Sequence, residues 1–416
     1  MGRPVVITGA GAISAVADSP AKLHAELCAG RSGLKAVELF STEGIGCHQA
    51  GEIRPFEPRD YLGERNLRPI DRTSRLMLVA AGQALEEAGW TAEVLAEREA
   101  GLVLGTTFCS VHTIAEFDRR GLQLGPSYAS PFDFANSVIN AAAGQAAIWF
   151  GLRGLNSTIS AGAASGLAAL GYAVGHIRAG RAAALLAGGA EELCFESFLG
   201  HYRAGRLCGS RGGEGEVPVP FHARRNGFAL AEGAALVLLE DAEAAAGRSA
   251  RVLAEVLGHG SAFDPLGTEE SGAGAVARAV RLALEDAELE PGDLDCLSAS
   301  ASGGVETDRR EALGVAAALG GRAADLPVTA VKSMTGEAMG ASGGLQVVDL
   351  LGTFADGPDG GRLSGIPGLD EVEPGFPLGG LSSATRPVRV RRALVTALSA
   401  DGHAAALVLG APGGSG

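Results

Sequence analysis

Several residue types are scarce in this chain of 416 residues, and each scarcity narrows the range of functions. Lysine occurs only at Lys22, Lys35 and Lys332, and acidic residues outnumber basic ones, giving a net charge of −14. This charge argues against nucleic acid as a partner. Aromatic residues make up only 5% of the chain, whereas glycine occurs 63 times. Small side chains let backbones approach closely, which favours helices layered against sheets.

The cysteines are few and scattered, at Cys28, Cys47, Cys109, Cys194, Cys208 and Cys296. They form no C-x-x-C pair and have no histidine at metal-binding spacing, so the sequence predicts neither a metal site nor a cofactor of its own. We interpret them as reduced thiols in a cytoplasmic protein. The start, MGRPVVITGAG, lacks the pattern of a signal peptide. The uncharged stretch 158–177 is interpreted as a buried core helix rather than a membrane span.

Strand-like and helical segments alternate along the chain and then alternate again after about residue 250, which is an α/β pattern. AEGAALVLLE at 231–240 resembles ADGHAAALVLG at 400–410. This repeat predicts two related halves, 1–245 and 246–416, each closing with this strand at its final edge. Residues 356–386 are rich in glycine and proline without periodicity, which is typical of a functional surface loop or a partly mobile segment.

The opening VVITGAGAIS only partly matches a dinucleotide-binding turn. Gly9 and Gly11 follow a strand, but Ile13 and Ser14 stand where the third glycine of G-x-G-x-x-G would be. We therefore interpret the glycines as a tight strand-to-loop turn rather than a cofactor site.

The most specific segments are NSTISAGAASGLAALGYAVGHIRAG, SASASGGVETDRREA and AVKSMTGEAMGASGG. Together with PFHARRNGFALAEGAALVLLE at 220–240, they resemble the β-ketoacyl synthases over nearly the whole chain. In that family a nucleophilic cysteine stands at the start of a buried helix, whose N-terminus favours the thiolate. By this resemblance the cysteine position is Ala163, which has no nucleophile.

Two further family positions have lost their reactive groups. The resemblance places Ser300 and Glu337 where the family carries the histidines that support decarboxylation and stabilise the enolate. Asp308 and Lys332 match residues of a supporting ionic network. We interpret their retention as structural, because removing one member of a buried pair strands the other charge. A relocated nucleophile at Ser160 or Ser165 is an alternative, but serine needs an adjacent general base.

The resemblance implies a thiolase-like fold, with two related halves in a layered α/β/α/β/α arrangement. Members without the cysteine resemble chain length factors, the β subunits of type II polyketide synthases. The resemblance therefore implies a heterodimer, or a dimer of heterodimers, with an active ketosynthase, acting on phosphopantetheine-linked acyl chains of an acyl carrier protein. The net charge predicts that the partner provides most of the basic surface for the carrier protein. Because typical chain length factors carry glutamine at the position of Ala163, aromatic, reduced and polyene products stay open.

Two segments are predicted to shape this complex. GTTFCSVHTIAEF at 105–117 matches the segment that lines the floor of the acyl tunnel. Phe108 falls on the position that limits chain depth, with Val111, His112 and Ala115 following at helical spacing. The alternative is that Phe108 belongs to the core and that His112 is a buried histidine with satisfied hydrogen bonds. SPFDFANSVINAAAGQAAI at 130–148 resembles the dimer-forming segment rather than an ordinary internal helix. Its predicted interface residues are Phe132, Phe134, Asn136, Ile139 and Gln145.

Three other functions remain open at this point. A decarboxylase of malonyl carrier protein would need the two missing histidines. An acyltransferase would need a relocated serine nucleophile. A structural module unrelated to acyl chains would be stable as a lone monomer.

Overall fold

The computed structural model describes residues 3–212, 215–265, 269–357 and 360–413, in which strands and helices alternate as predicted. The strands of the first half are β1 (Val5–Ser14), β2 (Lys35–Ala36), β3 (Gln49–Ala50), β4 (Gly101–Gly105), β5 (Asn156–Ile159), β6 (Ala184–Glu191) and β7 (Gly233–Asp241). Those of the second half are β8 (Ala254–Phe263), β9 (Cys296–Ser298), β10 (Val328–Thr329), β11 (Arg362–Leu363), β12 (Arg386–Pro387), β13 (Arg392–Leu398) and β14 (His403–Gly410).

The helices lie between these strands. They are α1 (Pro20–Cys28), α2 (Pro58–Leu62), α3 (Arg72–Glu87), α4 (Ala92–Glu97), α5 (Val111–Leu124), α6 (Pro131–Ala135), α7 (Ala141–Phe150), α8 (Ser165–Arg178), α9 (Phe195–Arg203), α10 (Ala242–Gly247), α11 (Glu269–Asp286), α12 (Val305–Leu319), α13 (Lys332–Thr335) and α14 (Ser342–Ala355). No helix of the described ranges has both the length and the apolar character to cross a bilayer.

The main sheet repeats one pattern twice. Its strand order is β10-β9-β13-β14-β8-β1-β7-β6-β4-β5. In each half two antiparallel pairings are followed by two parallel pairings, so the strands β1, β7, β6, β4 and β5 correspond in order to β8, β14, β13, β9 and β10. The halves meet where β1 pairs with β8 through Val5, Val6 and Ile7. The internal repeat is therefore real, but its position was predicted wrongly: β7 and β14 lie inside the sheet, and the edges are β5 and β10.

The layers follow from which helices contact which strands. Helices α8 and α14 contact strands of both halves and lie between them, so α8 is the buried core helix predicted from its lack of charge. Helices α3 and α7 cover the outer face of the first half, and α11 and α12 cover the second. The predicted loop 356–386 contributes Ile366, Leu369 and Leu378 to the outer core of the second half. Residues 358 and 359 of this loop lie outside the described ranges.

The glycines near the start of the chain serve helix packing. Gly9 and Gly11 lie inside the continuous strand β1, so the turn predicted there is wrong. A β-carbon on Gly11 would stand 1.9 Å from the Ala80 carbonyl oxygen of α3, and one on Gly9 would stand 2.1 Å from that of Ala84. The absence of these side chains lets α3 lie directly on the strand.

Candidate functional site

Ala163 lies at the end of a short loop between β5 and α8, and it is buried. The hydroxyl of Ser165 holds this loop: its oxygen accepts the Ala161 N–H at 2.8 Å, and it lies 2.6 Å from the Gly162 carbonyl oxygen. Ser165 is fully buried, and its hydroxyl is occupied by these contacts with the loop and by the Thr106 carbonyl oxygen at 3.2 Å. Ala163, the position that the sequence resemblance assigned to the nucleophile, carries only a methyl group at the end of this ordered loop.

Ala163, Ser300 and Glu337, which are far apart in sequence, line one cavity of about 290 Å³. Glycines allow the segments that carry these residues to pack closely, because they have no side chain to separate the backbones. A β-carbon on Gly189 would stand 1.9 Å from the Gly340 carbonyl oxygen, which brings the loop after Glu337 against β6. Other lining residues include Thr107, Phe108, Ser160, His201, Arg206, Phe228, Ser302, Thr307, Asp308, Glu311, Met339, Ser399 and Asp401.

A buried ion pair occupies one wall of this cavity. The Lys332 ammonium lies 2.8 Å from Oε2 of Glu337 and donates to the Ser300 hydroxyl at 3.1 Å. The other carboxylate oxygen of Glu337 accepts from the Met339 N–H at 3.0 Å and the Ser342 hydroxyl at 2.7 Å. Both oxygens of the Glu337 carboxylate therefore accept hydrogen bonds from groups of the protein itself. The positive charge of Lys332 is neutralised locally instead of being available to an anionic substrate.

Asp308 was predicted to share an ionic network with Lys332, but no hydrogen bond or ion pair joins the two across the described ranges. Asp308 accepts backbone N–H groups of Phe221, Ser302 and Gly303 at 3.0–3.1 Å, and the Arg225 Nε lies 3.8 Å away. Burial raises the pKa of the Asp308 carboxyl above its ordinary value. Asp308 thus ties the turn after Ser300 to Phe221, and the ion pair with Lys332 belongs to Glu337.

Two buried carboxyl groups beside the cavity were missed from the sequence. Glu191 accepts the backbone N–H groups of Thr107, Phe108, Cys109 and Gly340 at 2.7–3.2 Å, which fixes the cavity wall. Glu311 accepts from the Ser300 N–H at 2.7 Å and the Thr396 hydroxyl at 2.6 Å, while its other oxygen has no partner in the described structure.

Burial dominates the protonation of both groups. It raises the pKa of Glu311 to about 7 and that of Glu191 above its ordinary value. The hydrogen bonds that each carboxyl accepts oppose this rise. Glutamate in a helix or strand is common, so no local sequence signal marked either residue.

His201 is a third missed residue, and it lies in the same cavity beside Phe108 and Phe228. Its Nε2 is buried without a partner in the described structure. Burial, aided by the charge of Arg206, lowers the pKa of His201 to about 4. The imidazole is therefore neutral near pH 7 and a weak base. Its helical position on α9 is far from the three family segments, so the motifs could not reveal it.

Of the four predicted tunnel residues, Phe108 is the one among the described residues that lines the cavity. Phe108 is 39% exposed and lines the cavity, so it is not simply core. Val111 begins α5, where Ala115 is also partly buried, but neither belongs to the described residues that line the cavity. His112, the third predicted tunnel residue, is also absent from the described residues that line the cavity, and the alternative that it is a buried histidine is wrong: it is exposed, and its Nδ1 lies 3.2 Å from Glu196.

The predicted interface segment carries an exposed apolar surface. Phe132, Phe134 and Ile139 are all more than two-fifths exposed, and Gln145 is partly exposed. Leu122, Leu124, Tyr128, Val138 and Ile148 are also exposed, and we call the exposed apolar residues of segment 122–148 the α5–α7 surface. Asn136 is an exception and corrects the prediction: it is buried, and its side-chain amide donates to the Pro69 carbonyl oxygen at 2.8 Å.

Comparison with known proteins places this site in a family. The model of the beta-ketoacyl synthase N-terminal domain matches residues 2–245, and that of the C-terminal domain matches residues 253–357. The chain belongs to the beta-ketoacyl synthase family. A 3-oxoacyl-acyl-carrier-protein synthase 2 of Vibrio cholerae is 30% identical over 359 residues, covering 85% of this chain and 86% of the relative. The corresponding synthase of Coxiella burnetii is 31% identical over 349 residues, 83% of this chain and 84% of its own length.

Solved structures extend the similarity to the full chain. The ishigamide ketosynthase/chain length factor has a TM-score of 0.90 and 30% identity, covering 99% of this chain and 100% of that chain. A type II polyketide ketosynthase in complex with its acyl-carrier protein and bound to the hexaketide has a TM-score of 0.86 and 26% identity, with the same coverage. The thiolase-like ketosynthase fold predicted from the sequence is confirmed.

Proposed function

We propose that this chain is a non-catalytic ketosynthase-like subunit, a chain length factor, that pairs with an active ketosynthase and shapes its acyl tunnel. The observation that carries the proposal is the wall of the cavity. Ala163, which the sequence resemblance assigns to the nucleophile position, lines this wall, and Glu337, which the resemblance assigns to the second histidine, is paired there with Lys332. The fold around these substitutions is retained in detail.

The chemistry of condensation explains why these groups matter. Carbon–carbon bond formation in this family needs a thiolate to hold the acyl chain and cationic or hydrogen-bonding groups to stabilise an enolate. The Ala163 methyl group forms no acyl–enzyme. The carboxylate of Glu337 would repel an enolate. The groups that could donate a hydrogen bond to the enolate, Lys332, the Met339 N–H and the Ser342 hydroxyl, already donate to Glu337. The cavity can therefore hold an apolar chain without reacting with it.

The α5–α7 surface supports the partner role. Large apolar side chains exposed together on one side of a chain are typical of a protein interface, because a stable monomer rarely leaves such a surface in water. Obligate partners bury about 2,000 Å² or more of mostly apolar surface. The occupant that we propose is the active ketosynthase, since the solved relatives include a ketosynthase/chain length factor and a ketosynthase with its acyl-carrier protein.

The alternative activities fit the site less well. A decarboxylase of malonyl carrier protein would need donors for the enolate, and Lys332 is already paired. An acyltransferase would need an activated serine. Ser165 is buried and its hydroxyl is hydrogen-bonded to the loop before α8, whereas Ser160 is exposed and lines the cavity. With a pKa of about 4, His201 is a poor base for Ser160 at neutral pH.

Mass spectrometry separates these functions. The isolated chain is incubated with malonyl carrier protein, and so is its complex with a partner ketosynthase that carries the active-site cysteine. We expect no acyl adduct and no acetyl carrier protein from the isolated chain, and extended chains only from the complex. A ketosynthase whose cysteine is replaced by serine is the matched control. Acetyl carrier protein from the isolated chain, or an adduct lost in Ser160→Ala, would contradict the proposal.

A further inference from the structure

Cys47 comes together with Cys208 and Glu216, which are more than 160 residues further along the chain, at a place outside the cavity lining. The sulfur atoms of Cys47 and Cys208 lie 3.9 Å apart, and Oε2 of Glu216 lies 3.8 Å from the first and 3.6 Å from the second. Both cysteines are fully buried, and Glu216 is partly buried. The three ligand atoms form a compact triangle with free thiols, not a disulfide.

The fold holds this triangle in place from two segments. Cys47 lies in the loop between β2 and β3, while Cys208 and Glu216 lie between α9 and β7. The carboxylate of Glu216 accepts the backbone N–H groups of His48 at 2.9 Å and Gln49 at 3.0 Å. The Cys208 N–H donates to the Phe228 carbonyl oxygen at 3.0 Å. The ligand atoms are therefore preorganised by the backbone on both sides.

The distances match a tetrahedral metal ion. Zinc binds thiolate sulfur at about 2.3 Å and carboxylate oxygen at about 2.0–2.2 Å. At a tetrahedral angle these bonds separate two sulfurs by about 3.8 Å and a sulfur from an oxygen by about 3.5 Å. The observed separations of 3.9, 3.8 and 3.6 Å agree with this geometry.

We propose that Cys47, Cys208 and Glu216 bind a thiophilic divalent cation, Zn²⁺, with water as the fourth ligand. Binding exchanges protons for the ion: Zn²⁺ and two thiols give a zinc bis-thiolate and two released protons, and nothing is oxidised or reduced. The carboxylate completes a donor set of two sulfurs and one oxygen that zinc accepts. Because protons are released, affinity rises with pH.

The ion would link the β2–β3 hairpin to the segment that carries Arg206 and Phe228. Both of these residues line the cavity. A metal cross-link here would therefore stabilise one wall of the cavity without touching its reactive positions. Sequence spacing could not reveal the site, because Cys47 and Cys208 are 161 residues apart.

The test uses the full-length chain, alone or with its partner, purified without metal-affinity resin. We expect about one zinc per chain by elemental analysis. After chelation, Co²⁺ should give a thiolate-to-cobalt charge-transfer band that one equivalent of Zn²⁺ abolishes. Zinc at a hundredfold excess over its dissociation constant should raise the melting temperature by about 3 °C.

Variants locate the site. Cys47→Ser and Cys208→Ser should each weaken zinc binding by roughly a hundredfold or more, and Glu216→Gln should weaken it less. Cys194→Ser, which removes a buried thiol outside the cluster, is the matched control and should bind zinc as the wild type does. An apo wild-type chain that gives no cobalt band, or a band that survives loss of both Cys47 and Cys208, would overturn the proposal. Loss of two free thiols on air oxidation without bound metal would also overturn it, by assigning the pair to a disulfide.

Discussion

Replacing Glu337 by glutamine should destabilise the protein, because it leaves the buried ammonium of Lys332 without its counter-charge. Less than a tenth of either side chain is exposed, and beyond Glu337 the ammonium donates only to the neutral Ser300 hydroxyl within the described ranges. Removing one partner of such a pair costs about 3–5 kcal/mol. We expect the lower end of this range, because glutamine keeps an acceptor oxygen and the nearby Glu311 interacts with the same charge.

The expected shift in melting temperature is measurable. An unfolding entropy of about 2.1 cal/mol/K per residue over 416 residues gives ~0.9 kcal/mol/K, so a loss of about 3 kcal/mol lowers the melting temperature by about 3–4 °C. The double variant Lys332→Met/Glu337→Gln removes both charges of this pair and should recover most of this loss. Differential scanning calorimetry of the wild type, both single variants and the double variant gives the coupling energy directly.

A matched control separates this effect from the general loss of a surface charge. Asp18→Asn breaks the exposed pair with Lys22, for which we expect no measurable shift. The reasoning is refuted if Glu337→Gln melts with the wild type, or if the double variant loses the sum of the two single losses. Either result would mean that Lys332 is not held as a charge by Glu337.

Three other predictions follow from the site and its surroundings. Since the pKa of Glu311 is raised to about 7 from an ordinary 4.5, the folded state holds a proton that the unfolded state has released, and stability should fall as pH rises from about 4.5 to 7; Glu311→Gln should flatten that fall in a series of thermal melts. Phe108→Ala should lengthen the products of the complex, measured by mass spectrometry, and an intact complex with unchanged product length would remove Phe108 from chain-length control. Ile148→Asp should weaken binding to the ketosynthase by roughly thirtyfold or more in calorimetric titration, as expected for a central interface residue, whereas Leu313→Asp on α12 should not; equal effects of the two would contradict an interface at the α5–α7 surface.

The alternation of strands and helices was predictable because it depends on local periodicity. The uncharged stretch 158–177, predicted as a buried core helix, contains all but the last residue of α8. The order of strands in the sheet was harder. The repeat correctly identified β7 and β14 as equivalent, but a repeat does not say which neighbours a strand pairs with. Pairing joins residues far apart in sequence, and so both strands were wrongly placed at edges.

The candidate site shows the same division. The motifs around Ala163, Ser300 and Glu337 were visible because each is a continuous segment, and the three positions do line one cavity. The prediction that Asp308 shares an ionic network with Lys332 did not identify the ion pair that the structure shows. Asp308 and Glu337 are both acidic, and only the three-dimensional arrangement decides which carboxylate lies within 4 Å of the Lys332 ammonium. Asn136 and His112 were misjudged for a related reason: burial depends on the segments packed against a residue.

The sequence by itself determined the family and the alternating α/β organisation, because both depend on patterns in contiguous residues. Only the tertiary structure decided that Glu337 neutralises Lys332, that Glu311 and His201 lie beside the cavity, and that Cys47, Cys208 and Glu216 form one triangle. The physical reason is common to all three. Electrostatic pairing, desolvation and metal geometry act over a few ångströms in space, and the chain brings together residues that its sequence keeps far apart.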